Sequence, residues 1–441
     1  MLRYLPFLIY IISCTGSAQQ QDTIKYSKDY AVVIDSVRIT GNEITEDFIV
    51  LRELTFSPGD TLTPVIAKYN LERIYSLGIF NLVNVYPETV DNVNYAVIDV
   101  EESWYIYPVP FLEIRENDWK KLSYGAILVV NNFRGRNESL SLSGALGYNP
   151  FLKLLYYNPY LVRKHDIFFN VSATYGTVLN KSARAASLYG EDFDQKNLTV
   201  FTELGKRFGL YHRLSMILGY SYVETPFFIK GISASDSRID HTPFISFGYS
   251  YDTRDLVQFP KNGLFGAASV EFKGLGNDGI NYDVVKLDFR EYRRIAGDLH
   301  AKWRFTTRLS GGKLVPFYDL SFIGFDERIR GHFYDEMEGN NYYLGTMELF
   351  YPLLKDIHIN FDFVPLLPKA LLSYRVAIYA ELFGDAGAAK FRGESLSIND
   401  FNSGYGAGLT LLILPYNVIR FEVGLDEYHN AEFIFNVTAS F

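Results

Sequence analysis

Apolar and polar residues alternate with a period of two along most of this chain, and the charges collect on one side of the alternation. Leu299, Ala301, Trp303, Phe305 and Leu309 share one face of a segment whose other face carries His300, Lys302, Arg304, Thr306, Arg308 and Ser310. Val285, Leu287 and Phe289 alternate with Lys286, Asp288 and Arg290. Ile419, Phe421, Val423 and Leu425 alternate with Arg420, Glu422, Gly424 and Asp426. The period alone predicts strands with two unlike faces, which a soluble sandwich also has. The density of charge on one face, strand after strand, selects a water-filled lumen on that side and lipid on the other. From residue 107 to residue 441 the pattern predicts about sixteen strands, the first beginning near 109 and the last near 431. The predicted fold class is therefore mainly β, a 16-stranded antiparallel transmembrane barrel. An even strand number returns both ends of the barrel to the same side of the membrane.

Residues 31–103 follow a different rhythm. AVVIDSVRITGN reads as a strand ending in a turn at Gly41-Asn42, and EITEDFIVLREL as a short helix with Ile44, Phe48, Ile49 and Leu51 at helical spacing. SPGDTLTP breaks the chain, and Val65 to Leu77 predicts a second helix stopped at Gly78. FNLVNVYPE and NYAVIDVEE close the unit as two strands, with Glu101-Glu102 expected to be solvated at the end. The order strand, helix, helix, strand, strand describes a small α+β domain. Residues 19–30 form a polar leader. Residues 1–18 read as a secretory signal, with Arg3, an apolar core from Leu5 to Ile12, and small residues at Gly16 and Ala18. Cleavage after Ala18 competes with lipidation at Cys14, where Ile11-Ile12-Ser13-Cys14 resembles a lipobox.

Composition narrows the class further. Aromatic residues make up 16% of the chain, with 34 Tyr and 35 Phe, as expected where aromatic girdles mark both membrane interfaces. The mean hydropathy is only −0.02, and past the amino terminus no apolar run approaches the ~20 residues of a spanning helix. A hydrophobic fraction of 48% excludes a disordered chain. The net charge of −9 and the lack of a Lys/Arg block argue against nucleic acid as a partner. Cys14 is the single cysteine, which removes an intramolecular disulfide and any cysteine-based metal site.

The most informative segment is Ile329-Arg330-Gly331-His332, in a long connection between two alternating strands. Glu348 in TMELFYPL and Asp385 in LFGDAG occupy matching places in the strands that follow. A guanidinium offers a rigid fork of donors that binds two carboxylates at once. A loop folded back into the lumen would thus be latched without hydrophobic burial. The alternative leaves Arg330 as a solvated loop residue and both acids as ordinary lumen charges.

Residues 31–103 resemble a POTRA domain through Val37, Ile39, Gly41-Asn42, Leu71, Ile74-Tyr75, Leu77-Gly78-Ile79-Phe80, Val83, Val85 and Val100-Glu101. The remainder resembles the BamA/TamA-type outer-membrane barrel superfamily. Asp252-Thr253-Arg254-Asp255, Pro260 and Gly263 are similar to its turn motif, Arg330-Gly331 to its inward loop, and Glu348 and Phe383-x-Asp385-x-Gly387 to the strands that receive it. The aromatic Phe441 is similar to its carboxy-terminal insertion signal. Two departures stand out: His332 takes the place of an aromatic, with Phe333 and Tyr334 following, and there is one POTRA-like unit where well-known relatives have two or more.

The resemblance implies an outer-membrane location with the POTRA-like unit in the periplasm. It implies insertion or translocation of unfolded outer-membrane or secreted protein clients. Outer-membrane lipids, periplasmic chaperones and accessory subunits are the further partners it suggests. Clients would pair as strands with the POTRA sheet edge and enter at the seam between first and last strands. There, Val109 to Glu116 is short and contains Pro110, and Asn436, Thr438, Ala439 and Ser440 are small or polar. A secretion channel dedicated to one partner is the alternative, with a porin behind it. No enzyme, cofactor or metal is expected. Gly274, Gly276 and Gly279 fit a dinucleotide fingerprint only by spacing, because a strand follows them. Gly404, Gly406 and Gly408 lie within a strand and are expected to permit close packing or curvature. Ser310 and His300 lie too far apart on one strand to meet.

Overall fold

The computed structural model describes residues 29–114, 119, 122–325, 327–361 and 368–439. The secretory segment with Cys14, and Phe441 at the other end, lie outside the described residues.

The N-terminal domain comprises β1 (Val32–Val33), β2 (Ser36–Thr40), α1 (Asp47–Leu51), β3 (Thr61–Leu62), α2 (Pro64–Tyr75), β4 (Phe80–Val90) and β5 (Val93–Glu102). β5 is the central strand, parallel to β2 and antiparallel to β4. Pro64 starts α2 behind a Thr63 cap that accepts from the Ile66 amide, the position where a missing N–H costs nothing. The left-handed Gly78 (φ +71°) follows its end.

Three details depart from the sequence reading. α1 is one short turn whose buried residues are Ile49 and Val50, while Ile44 precedes it and is 58% exposed. Glu102 is half-buried and bonded rather than free in solvent: its carboxylate accepts from the Ile44 and Thr45 amides and from Thr45 Oγ1 (2.6 Å), fixing the chain that leads into α1. The two-residue pairing of β1 with β3 has no periodic signal to announce it.

Sixteen strands build the second unit: β6 (Ile106–Ile114), β7 (Leu122–Phe133), β8 (Glu138–Gly147), β9 (Phe151–Val162), β10 (Ile167–Leu179), β11 (Asp194–Phe208), β12 (His212–Glu224), β13 (Ile239–Asp252), β14 (Gly263–Lys273), β15 (Tyr282–Ala296), β16 (Leu299–Gly312), β19 (Asn341–Asn360), β20 (Ser373–Lys390), β21 (Asn402–Leu414), β22 (Asn417–Asp426) and β23 (Ala431–Ala439). Each pairs antiparallel with its sequence neighbour, and only β16 reaches past β17 (Ser321–Ile323) and β18 (Met337–Gly339) to find β19. Among the described residues no pairing joins β6 to β23, so the barrel wall is left unclosed at that seam.

The alternation sorts the side chains as charge demands. Leu287, Phe289, Phe305, Leu382 and Val423 are exposed on the outer face, while Thr306, Arg308, Glu348, Asp385 and Glu422 are buried inside. At one mouth the N-terminal domain packs into the barrel. At the other, α3 (Ala183–Tyr189) and the connections around Phe193, Ile232, Ile280 and Phe317 form a second apolar cluster that roofs the lumen.

Candidate functional site: a latched lumen above a docked domain

The connection between β16 and β19 reaches the lumen in two steps. Val315, Phe317 and Leu320 anchor its first part in the roof cluster, and the short β17–β18 hairpin turns it inward. Ile329, fully buried with Ile323, Tyr342 and Leu344, holds the tip. The turn itself is tight, with the His332 amide donating to the Ile329 carbonyl at 3.0 Å. Gly331 has φ +100°, and a Cβ there would lie 2.5 Å from the Leu425 carbonyl oxygen, so only glycine fits.

Arg330 is thereby aimed at three acids. Its Nε and Nη2 donate to the two oxygens of Asp385 at 2.7 Å each, and its backbone amide donates to the same carboxylate at 3.0 Å. Nη1 lies 2.8 Å from Glu422 and 3.1 Å from Glu348. The guanidinium sits 3.8 Å over the Phe383 ring. Lys302 supplies Glu348 with a second cation at 3.0 Å. Low dielectric makes such a cluster strong while complete, and costly once one partner is removed. The loop goes on to grip the strand beside the seam: the Phe333 amide donates to Glu432, and His332 lies between Asp335 and Glu427.

Glycines make room for this loop. A Cβ on Gly404 would fall inside the Arg330 carbonyl, one on Gly424 would lie 2.6 Å from the Gly331 nitrogen, and one on Gly387 would lie 3.0 Å from Ile329. Close approach is thus what Gly404 provides, with the inserted loop as the neighbour. Gly274, Gly276 and Gly279 form a positive-φ turn leading into β15. Glu422 was visible only as one charge on an inward face. Its place across from Gly408, within a glycine-rich wall, appears only once the β21–β22 register is known.

The Asp252–Gly263 segment has a different task. Arg254 folds back on Asp252 (2.9 and 2.7 Å), and Asp255 Oδ1 accepts the Leu256 and Lys261 amides at 2.9 Å each. Half-buried Pro260 and left-handed Gly263 (φ +113°) carry the chain into β14. The turn so shaped docks on α2: the Val257 amide donates to Ser76 Oγ at 3.0 Å, and Leu256 and Phe259 join Ile74 and Tyr75 in one core. That core also takes in Tyr379, Leu412, Leu414 and Val418 from the barrel.

Buried ion pairs lock the same interface, and sequence reading missed them. Glu72 receives both Arg375 Nη1 (2.6 Å) and Nη2 (2.8 Å), with Arg375 also 2.9 Å from Asp356. Glu53 takes Arg73 at 2.7 Å and Arg207 Nη2 at 2.9 Å. Burial alone would raise the Glu53 carboxyl, but the Arg207 and Arg73 charges overcome it and hold the group below the usual carboxylate range. At the rim, Glu46 meets Arg136 and Arg163 at 2.6 Å each, and it too is held low, first by the Arg136 hydrogen bond. No sequence spacing joins residues so far apart in the chain.

The family comparisons agree with this division. A model described as the Omp85 superfamily domain matches residues 132–441, and a POTRA model, the surface antigen variable number repeat, matches residues 32–103. Among solved structures, BamA from Haemophilus ducreyi lacking POTRA domains 1–3 is similar at 18% identity and a TM-score of 0.54, over 93% of this chain and 84% of that one. CdiB from Escherichia coli is similar at 12% identity and a TM-score of 0.55, over 92% of this chain and 75% of that one.

Proposed function

The chain belongs to the Omp85 superfamily of outer-membrane β-barrels, and on that premise we propose that it inserts or translocates protein clients through the seam between β6 and β23, with its POTRA domain on the periplasmic side. The observation that carries this reading is the pairing of an unclosed seam with an occupied lumen. β6 and β23 each present a strand edge with no barrel neighbour among the described residues, which is the geometry an extended client needs for strand addition. The lumen route is obstructed at both ends, by the docked POTRA domain and by the roof. The latch supports the same route. It ties β19, β20, β22 and β23 to one loop, so the C-terminal side of the seam keeps its shape while the edge is free. The reading needs no covalent catalysis and no cofactor; client folding supplies the driving force.

The test is site-directed crosslinking from a cysteine or photoreactive residue at Val109 or Phe433, combined with quantitative outer-membrane proteomics after depletion. Crosslinks to nascent barrels and loss of many unrelated barrels support a general assembly factor. Loss of one secreted or surface protein, with the barrels intact, supports a channel dedicated to one partner. No client crosslink at either strand would sink the seam route.

A further inference from the structure

The latch fills only one side of the lumen. Between β11 and β16 lies a cavity of ≈ 870 Å³, within the size range of small-molecule sites. Its wall on β12, β13 and β14 is built from small side chains, among them Ser215, Ser250 and Ser269. Two cations flank that wall. The register places Arg213 across from Ser250 and Lys286 across from Ser269.

Most of the other charges around the cavity are neutralised in place. Asp288 is bound by Arg290 and Arg304, Glu327 by Arg304, and Asp319 by Lys273 and Arg308. Arg213 and Lys286 differ: among the described residues neither has a carboxylate within ion-pair distance, and both are exposed to the cavity. Arg213 has a distant aromatic neighbour, the Phe168 ring at 6.0 Å. One lining carboxylate, Glu203, also lacks a cation and accepts only a 3.4 Å bond from Asn170. Lys181, 4.6 Å over the Phe325 ring, likewise has no carboxylate within ion-pair distance among the described residues. Three free cations against one free acid leave the cavity with a positive excess, and the serine hydroxyls add neutral donors between Arg213 and Lys286.

We propose that this side of the lumen is a binding site for a small, water-soluble polyanion bearing phosphate groups, held between Arg213 and Lys286 with Ser215, Ser250 and Ser269 as supporting donors. A single charge would not satisfy both ends. β12 and β15 are three strands apart, about 14 Å at the usual strand spacing, so the ligand carries charge at two places. Arg213 supplies a fork suited to a phosphate face, and Lys286 a point charge.

Isothermal titration calorimetry on the full chain in detergent, with linear tetrapolyphosphate as the probe, tests the site. Saturable binding is expected, weakening about tenfold or more for each of Arg213→Gln and Lys286→Gln, as charge-assisted bonds require. Lys230→Gln/Lys313→Gln on the roof exterior should leave it unchanged. Glu53→Gln, which loosens the docked domain, is titrated in parallel; binding by that variant, lost again with Arg213→Gln, supports the site even if the native chain excludes the probe. Inorganic phosphate or pyrophosphate binding as tightly as tetrapolyphosphate would overturn the two-point ligand. No binding by either form at millimolar probe, or equal losses from the lumen and exterior substitutions, would overturn the site itself.

Discussion

On β19–β22 the inward positions set acids beside glycines, Glu348, Asp385 and Glu422 near Gly387, Gly404 and Gly424, and a loop lies against them. On β12–β14 the equivalent positions carry Ser215, Gly248, Ser250, Ala267 and Ser269, and the space before them is a cavity. Both walls come from the same strand alternation and meet the same lumen. What separates them is whether the wall offers charge of one sign in a recess. Acids in a glycine recess attract and admit an arginine-bearing turn. Serines beneath two unpaired cations leave that volume to water and to what water carries.

The sharpest way to break this difference is to remove the charge that only one wall was built for. Arg330→Ala leaves Asp385, Glu422 and Glu348 facing one another with Lys302 and Arg420 as nearby cations, and removing one partner of a buried ionic cluster costs about 3–5 kcal/mol. We expect a lowered midpoint for loss of the heat-resistant barrel on semi-denaturing gels, and protease sensitivity near Phe333. Arg330→Ala/Asp385→Asn should recover part of the loss by removing one stranded charge. A midpoint unchanged by Arg330→Ala would mean the loop is held by its other anchors, the apolar Ile329 and the Phe333–Glu432 and His332–Glu427 contacts.

The floor supplies the next effect. Glu72→Gln leaves Arg375 with Asp356 as its remaining acid, and a loss of roughly 1–3 kcal/mol in docking is expected for a charged group left under-satisfied. It should appear as faster exchange of α2 amides. Acid should act in the same direction. Glu46 and Glu53 are both held below the usual carboxylate range in the folded state. Their contribution is therefore present above the unfolded value near pH ~4.3 and disappears as pH falls through the lowered folded values. The protection of α2 amides, corrected for the pH dependence of intrinsic exchange, should fall as pH drops below about 4 in the native chain, and less so in Glu53→Gln. A floor that tightens on acidification would show that these pairs do not hold it.

Some of this was legible in the chain. The strands from Ile106–Ile114 to Ala431–Ala439 were readable because one face meets lipid and the other water, so each strand records its own environment. Arg330, Glu348 and Asp385 were readable because a fork of donors and its acids stood in order along the sequence. Glu422 was not, since one more inward acid on a charged face has no local mark. The floor was hidden for a stronger reason: Glu72 and Arg375 are ordinary on their own elements, and their pairing exists only once the domain docks. Ile44 was misplaced because helical spacing over so short a segment cannot outweigh Glu102, which fixes the chain in a turn.

Steric substitutions sharpen the comparison without touching charge. Gly404→Ala puts a methyl group into the Arg330 carbonyl, where the contact is backbone on both sides, and overpacking of this kind costs about 1–3 kcal/mol. Gly248→Ala, on the open wall, meets only Ser215 Oγ at 3.2 Å, the mobile end of a side chain that can turn into the cavity, and should stay within about 0.5 kcal/mol of the parent. Limited proteolysis of the 324–335 segment should therefore rise in Gly404→Ala and not in Gly248→Ala, although both add one methyl to a lumen glycine. Equal protection in the two variants would show that the recess on β19–β22 is not what admits the loop, leaving the acids as its sole determinant.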